Sequence, residues 1–111
     1  MQVGFILTKT PAEEGFNTFL KFLKIYSGND EVFIYLIGNG VYSFRSGHSK
    51  SEMVMNILAD SNKDSKVYAC LDDLKARGIS FNSLAKGVEP LMSYDEMVLD
   101  IMEKMDQVFS F

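Results

Sequence analysis

The chain has very few of the residues that define several large classes of protein. Its 111 residues include one cysteine, one histidine and no tryptophan. A single cysteine cannot form an internal disulfide, and His48 has no second histidine or cysteine at the spacing of metal ligands. We therefore predict no disulfide framework, no metal site and no cofactor.

Basic charge and long apolar runs are scarce as well. Eleven lysines and arginines face fifteen acidic residues, for a net charge of −4, whereas nucleic-acid-binding domains are typically basic. No apolar run approaches the roughly 18 residues of a membrane span, and the first apolar segment is too short for a signal peptide. We therefore expect a cytoplasmic protein that binds neither nucleic acid directly nor membranes, built as one domain over residues 1–111.

Short apolar runs alternate with segments of helical periodicity along the whole chain. The predicted strands are residues 3–7, 32–37, 67–69, 88–92 and 107–111. Six consecutive apolar residues at 32–37 favour a central strand, and Pro90 favours an edge strand for 88–92. This alternation predicts an α/β domain with a five-stranded parallel sheet in the flavodoxin-like order 2-1-3-4-5 and helices on both faces.

Helix starts are indicated by local capping chemistry. Thr10 followed by Pro11 predicts that the first helix begins there, with Thr10 as its N-cap. Ser93 and Glu96 have the spacing of a capping box and predict the start of the last helix. The apolar stripe of that last helix, which includes Met97, Met102 and Met105, is interpreted as core.

The only cysteine, Cys70, lies where a predicted strand runs into a predicted helix. Backbone N–H groups at the start of a helix favour a thiolate, so Cys70 is a candidate nucleophile. Asp72 and Asp73 lie beside it and oppose ionisation of the thiol. Two opposed effects thus act on the pKa of Cys70, and a buried structural cysteine is the alternative interpretation.

The predicted strand order places Cys70 at a switch point between the first and third strands, where ligands of such folds collect. Four residues of the neighbouring loops are candidates for binding a substrate or an anion: Thr8, Lys9, Asn39 and Arg45. Lys9 and Arg45 are also expected to offset the charge of the two aspartates. For the basic loop around Arg45, a solvated surface is the alternative.

Several stretches resemble the DsrE/DsrF and TusD family of small sulfur-relay proteins. They are VYACLDDLKARGI around Cys70, the preceding FIYLIGNGVYSF, the later LAKGVEPL and the terminal DQVFSF. The resemblance implies a flavodoxin-like domain assembled into trimers or hexamers. It also implies that Cys70 accepts sulfane sulfur as a persulfide from a donor protein and passes it to an acceptor protein, as in a sulfurtransferase.

Two other functions are compatible with the same residues. One is a non-catalytic oligomeric subunit in which Cys70 is inert. The other is a flavodoxin-like module that binds a small molecule or nucleotide through Thr8, Lys9, Thr10 and Asn39. Nine phenylalanines, five tyrosines and seven methionines exceed what one small core needs, so a homo-oligomer is expected in each case.

Overall fold

The computed structural model describes residues 1–61 and 64–111, and in it strands and helices alternate along the chain. The strands are β1 (Gln2–Leu7), β2 (Glu31–Leu36), β3 (Ser65–Cys70), β4 (Val88–Leu91) and β5 (Gln107–Ser110). The α-helices are α1 (Glu14–Tyr26), α2 (Ser49–Ala59), α3 (Leu71–Ala76) and α4 (Tyr94–Lys104), and two 3₁₀ segments cover Gly38–Phe44 and Phe81–Ser83. The predicted α/β class is confirmed.

All strand pairs are parallel, and the order across the sheet is β4-β3-β2-β1-β5. The prediction of a central second strand is confirmed, and so is the edge position of β4, which contains Pro90. The predicted order 2-1-3-4-5 is wrong, because β2 separates β1 from β3 and β5 pairs with β1 instead of β4. Strands β2, β3 and β4 follow one another on one side of β1. The direction reverses only at β5, which pairs with the other edge of β1. Cys70, at the end of β3, is therefore not at the switch point.

The position of β5 follows from aromatic packing on β1. The Phe5 ring stacks on Phe109 and Phe111, with ring centroids 5.8 and 6.0 Å away. Phe22 of α1 meets the same two rings edge-on. Edge-to-face and offset-stacked pairs add about 0.5–1.5 kcal/mol each to the burial of the rings. This cluster holds the last strand against the first.

The two faces of the sheet are covered unequally. One face carries the main core, in which α1 and α2 pack through residues such as Phe16, Phe19 and Val54. The other face carries a smaller cluster of Tyr35, Cys70, Leu91 and Met97. Among the described residues, Met97 of α4 is the only buried side chain that a helix contributes to this cluster. Helices thus lie on both faces, as predicted, but α4 leaves its face only partly covered.

Two helix starts differ in how well the sequence predicts them. Helix α1 begins at Glu14, three residues after Pro11, because Glu13 accepts a hydrogen bond from the Thr10 N–H at 2.7 Å and closes a turn instead. The predicted start at Thr10 is therefore wrong. At α4, Ser93 Oγ accepts from the Glu96 N–H at 3.3 Å, as a capping box requires. The Glu96 carboxylate, however, accepts from the N–H of Met92 rather than of Ser93.

The methionines of α4 are only partly core. Met97 is buried, and the side chain of Met105 fills the space above Gly4, where a Cβ would lie 3.2 Å from Met105 Cγ. Met102 is 78% exposed, so the prediction of a continuous core stripe is wrong at that position. No helix within residues 1–61 and 64–111 has the length and apolar character needed to cross a membrane.

Candidate functional site

Cys70 ends β3 and forms the N-cap of α3, as the sequence predicts. Its backbone is extended, with φ −67° and ψ 119°, and the helix begins at the next residue. The side chain points to the face of the sheet that α4 covers, where it packs with Tyr35, Leu91 and Met97. Only 1% of the residue is exposed to solvent. The thiol is thus enclosed beneath the start of α4.

Asp73, in the first turn of α3, is the polar centre beside the cysteine. Its Oδ2 accepts hydrogen bonds from the Gly38 N–H at 2.8 Å and from the Tyr94 hydroxyl at 2.6 Å. Its Oδ1 lies 3.4 Å from Nη1 of Arg77, with which it forms an i,i+4 ion pair. Arg77 in turn donates from Nε to Asn39 Oδ1 at 3.0 Å. One carboxylate therefore joins the loop after β2, helix α3 and the start of α4.

The electrostatics of the site favour the neutral thiol. Burial raises the pKa of the Cys70 thiol, and the negative charge of Asp73, which also accepts a hydrogen bond from the thiol, raises it further. Hydrogen bonds from the backbone N–H groups of Asp73 and Asp72 act in the opposite direction but do not cancel these effects. The backbone N–H groups at the start of α3 thus lower the pKa of Cys70, as predicted. Burial and the negative charge of Asp73 raise it, and together they have the larger effect.

The carboxyl and the phenol of the site are shifted in opposite directions. Burial raises the pKa of Asp73, but hydrogen bonds from Tyr94, Gly38 and Cys70 and the charge of Arg77 outweigh burial and hold that pKa below its usual value. The hydrogen bond to Asp73 raises the pKa of Tyr94 to about 12. At neutral pH the site therefore consists of an ionised carboxylate that accepts from a neutral phenol.

The turn after β2 depends on its glycines. Gly38 has a φ of +54°, a conformation that residues with a Cβ rarely adopt, and this turn directs its N–H to Asp73. Gly40 lies against the end of β1, where a Cβ would be 1.8 Å from the carbonyl oxygen of Leu7. The GNG sequence is thus required both for the direction of the loop and for its close contact with the sheet.

Two of the predicted binding residues make structural contacts away from Cys70. The Thr8 hydroxyl donates to the carbonyl oxygen of Phe111 at 2.6 Å and fastens the chain end to β1. The aliphatic part of Lys9 lies over Gly15, and the Lys9 carbonyl accepts from Ser43 Oγ at 2.9 Å. Neither side chain has a contact with the network around Cys70 within the described residues.

The other two predicted binding residues lie in different places. Asn39 belongs to the Cys70 site through its bond to Arg77. Arg45 pairs through its backbone with Leu84 and lines a separate cavity. The expectation that Lys9 and Arg45 offset the aspartates is wrong, because the cation that contacts Asp73 is Arg77.

Arg77 and Tyr94 are site residues that sequence reasoning missed. The spacing of Asp73 and Arg77, four residues apart on one helix, is a signal that could have found the ion pair. Tyr94 follows the capping serine of another helix, so no local pattern connects it to Asp73. Within the described residues, no three histidine, cysteine or carboxylate side chains come together as metal ligands would.

Several solved structures share this fold, among them proteins from E. coli, Methanobacterium thermoautotrophicum and Thermotoga maritima. The E. coli protein ychN has a TM-score of 0.76 and 22% identity, with both chains covered completely. The protein of unknown function MTH1491 from Methanobacterium thermoautotrophicum has a TM-score of 0.75 and 17% identity, over 99% of this chain and 98% of its own. Protein Tm0979 from Thermotoga maritima has a TM-score of 0.55 and 24% identity, over 94% of each chain. At these identities the likeness shows the fold alone.

A match between the sequence and a family model identifies the family of this chain. A search of curated protein sequences finds no match to the chain. The model of the family described as DsrH like protein matches residues 9–107 and so covers nearly all of it, including Cys70 and its network. The family is associated with sulfur relay, and the model that matches is described as DsrH-like rather than as DsrE/DsrF or TusD. The chain belongs to the DsrH-like family.

Proposed function

We propose that the protein is a sulfur-carrier subunit that holds sulfane sulfur as a persulfide on Cys70. The observation that supports this most is the position of the only cysteine at the start of α3, in a member of a family associated with sulfur relay. A carrier needs one thiol and no second cysteine, because the sulfur is received from one protein and given to another.

The transfer is a thiol exchange at sulfur. The sulfur of Cys70, as the thiolate, attacks the terminal sulfur of a donor persulfide, R–S–SH. A new S–S bond forms to Cys70, the donor S–S bond breaks, and R–S⁻ leaves and takes up the proton that Cys70 gave up. The products are Cys70–S–SH and R–SH. The second transfer, to the acceptor protein, repeats these steps with Cys70 as the leaving group.

Asp73 and Tyr94 are the residues that control the thiol in this proposal. The negative charge of Asp73 raises the pKa of the Cys70 thiol and so favours its protonated form until a donor arrives. Tyr94, which is 48% exposed, donates to the same carboxylate from the start of α4. We infer that donor binding loosens this contact and gives access to the enclosed thiol.

The burial of Cys70 favours one alternative function. A thiol that is 1% exposed, has a raised pKa and packs with Leu91 and Met97 also fits a small apolar core residue. The protein would then be a non-catalytic subunit of a larger assembly or a small-ligand-binding module. The two functions differ in whether a persulfide donor can modify Cys70 in the folded protein.

We also propose that the chain works in the cytoplasm as a homo-oligomer, a trimer or hexamer, together with donor and acceptor proteins. The support for self-association is the outer surface of α4, where Val98, Leu99 and Met102 are 45%, 56% and 78% exposed. An apolar surface of this kind beside a partly covered sheet face is typical of an interface. Light scattering that gives a monomer near 12.5 kDa at micromolar concentration would contradict self-association.

Intact-mass spectrometry of the folded protein tests the carrier function. We expect treatment with a persulfide donor to add one sulfur atom, about 32 Da, which a reductant removes. Cys70→Ser is the matched control, because it removes the thiol and preserves the size of the side chain. An unmodified wild type, with Cys70 alkylated only after denaturation, would favour the structural cysteine.

A further inference from the structure

A cavity beside Arg45 lies outside the Cys70 site and is lined by two cations. It lies between α2 and the segment that precedes β4, and its volume is about 300 Å³. Arg45 and Lys86 lie on its wall, Ser46 and Asn56 add polar groups, and Met55 and Ala85 add apolar surface. A cavity of this size is large enough for a small organic molecule.

The two cations of this cavity have no opposite charge bound to them. Among residues 1–61 and 64–111, neither Arg45 nor Lys86 takes part in a salt bridge, whereas Arg77 and Lys104 do. Arg45 is half-buried, and its backbone is held by the bridge to Leu84. A half-buried guanidinium with no carboxylate partner favours the binding of an anion, since an oxyanion replaces the lost hydration with charge-assisted hydrogen bonds.

The remaining wall determines what kind of anion fits. Glu52 also lines the cavity, so the three charged side chains together carry one net positive charge. This arrangement disfavours a polyphosphate, which carries more negative charge than a single phosphate monoester. Met55 and Ala85 supply apolar contact for a carbon skeleton next to the charged group. A free inorganic ion would leave that surface unused.

We propose that this cavity binds a small organic oxyanion of the phosphate monoester class, with Arg45 and Lys86 on the oxyanion and Met55 against the apolar part. The site is separate from Cys70, and the proposal does not depend on the sulfur-carrier function. Arg45 provides the fixed contact because its planar guanidinium can donate two parallel hydrogen bonds. Lys86, which is exposed, adds charge at the entrance.

Binding of phenyl phosphate to the full-length protein, followed by calorimetry or by NMR shifts of Ser46 and Ala85, tests the proposal. We expect a dissociation constant of about 1 mM or tighter, at least about tenfold weaker binding in Arg45→Gln, and a smaller loss in Lys86→Gln. Lys75→Gln, which removes the same charge on α3 outside the cavity, is the matched control and should bind normally. Glu52→Gln should bind more tightly, because it removes the opposing charge.

Three results would overturn the inference. The first is no saturable binding of phenyl phosphate up to about 10 mM. The second is equal binding by the wild type and by both cation variants, each folded by circular dichroism. The third is equal affinity for inorganic phosphate and for phenyl phosphate, which would exclude a role for the apolar wall.

Discussion

The close contact of Gly40 with the end of β1 gives the sharpest prediction about the fold. In Gly40→Ala the new Cβ would lie 1.8 Å from the Leu7 carbonyl oxygen and 2.7 Å from its carbon. Real Cβ atoms essentially never come closer than 3.0 Å to such atoms, so the loop and β1 must separate by more than an ångström. Both partners are backbone, and no side-chain rotation can relieve the contact.

The expected cost is large for a protein of this size. Overpacking of a core costs about 1–3 kcal/mol, and a contact between two backbone segments belongs at or above the upper end of that range. A loss of about 3 kcal/mol is a large part of the roughly 5–15 kcal/mol that stabilises a typical domain. With a urea dependence of about 2 kcal/mol per molar, the midpoint of unfolding should fall by roughly 1.5 M.

Urea unfolding followed by circular dichroism measures this change. Gly28→Ala is the matched control, because nothing lies within 4 Å of its Cβ position and its φ is not in the left-handed region. It should change the free energy of unfolding by less than about 1 kcal/mol, since alanine restricts the unfolded chain without a clash. Equal stability of the two variants would refute the account of the Gly38–Gly40 turn.

Three further predictions concern the Cys70 site and the surface of α4. In Asp73→Asn the negative charge beside the thiol is lost, so the pKa of Cys70 should fall and iodoacetamide should react faster at pH 7. A tenfold gain in thiolate gives only about a threefold gain in rate, because nucleophilicity falls with pKa. Asp72→Asn, an exposed control with the same charge change, should leave the alkylation profile unaltered. The hydrogen bond to Asp73 stabilises the neutral phenol of Tyr94 and raises its pKa from 10.0 to about 12. Tyr94 therefore contributes its full share to the stability of the fold below pH 10, and this contribution is lost as the pH rises towards 12. Urea titrations at pH 9 and 11 should therefore show a smaller decrease for Tyr94→Phe than for the wild type, and an identical decrease would exclude this role of the Tyr94–Asp73 bond. Met102→Lys should lower the mass measured by light scattering, because it places a charge on the exposed surface of α4. Lys21→Glu, on α1, is the control and should leave the mass unchanged. An unchanged mass in Met102→Lys would exclude the surface of α4 as the interface.

Local patterns predict the elements of this fold better than their arrangement. Alternation of apolar runs with helical periodicity was enough to predict five parallel strands. The apolar run of β2 and Pro90 in β4 indicated a central and an edge position, although the predicted order 2-1-3-4-5 placed these two strands elsewhere. The order of β1 and β2 could not be predicted, because both are short apolar runs and nothing local says which lies next to β3. Their order depends on the packing of Phe109 and Phe111 against Phe5 and α1, which are distant in sequence.

The site was predictable only where one segment contains it. Cys70 at the start of α3 and the opposing charge of Asp73 follow from the sequence of one strand and one helix. The contacts of Asp73 with Gly38 and Tyr94 join residues 35 and 21 positions away, and only the folded sheet edge brings them together. The error about Arg45 has the same origin, since strand order decides which loops are neighbours.

Whether Cys70 carries sulfane sulfur can be decided from the intact mass of the folded wild type and of Cys70→Ser. Both would be measured after brief exposure to a cysteine desulfurase with cysteine. The account predicts a reductant-sensitive gain of one sulfur atom, about 32 Da, in the wild type and none in the variant. An unmodified wild type, or an equal gain in both proteins, would contradict it.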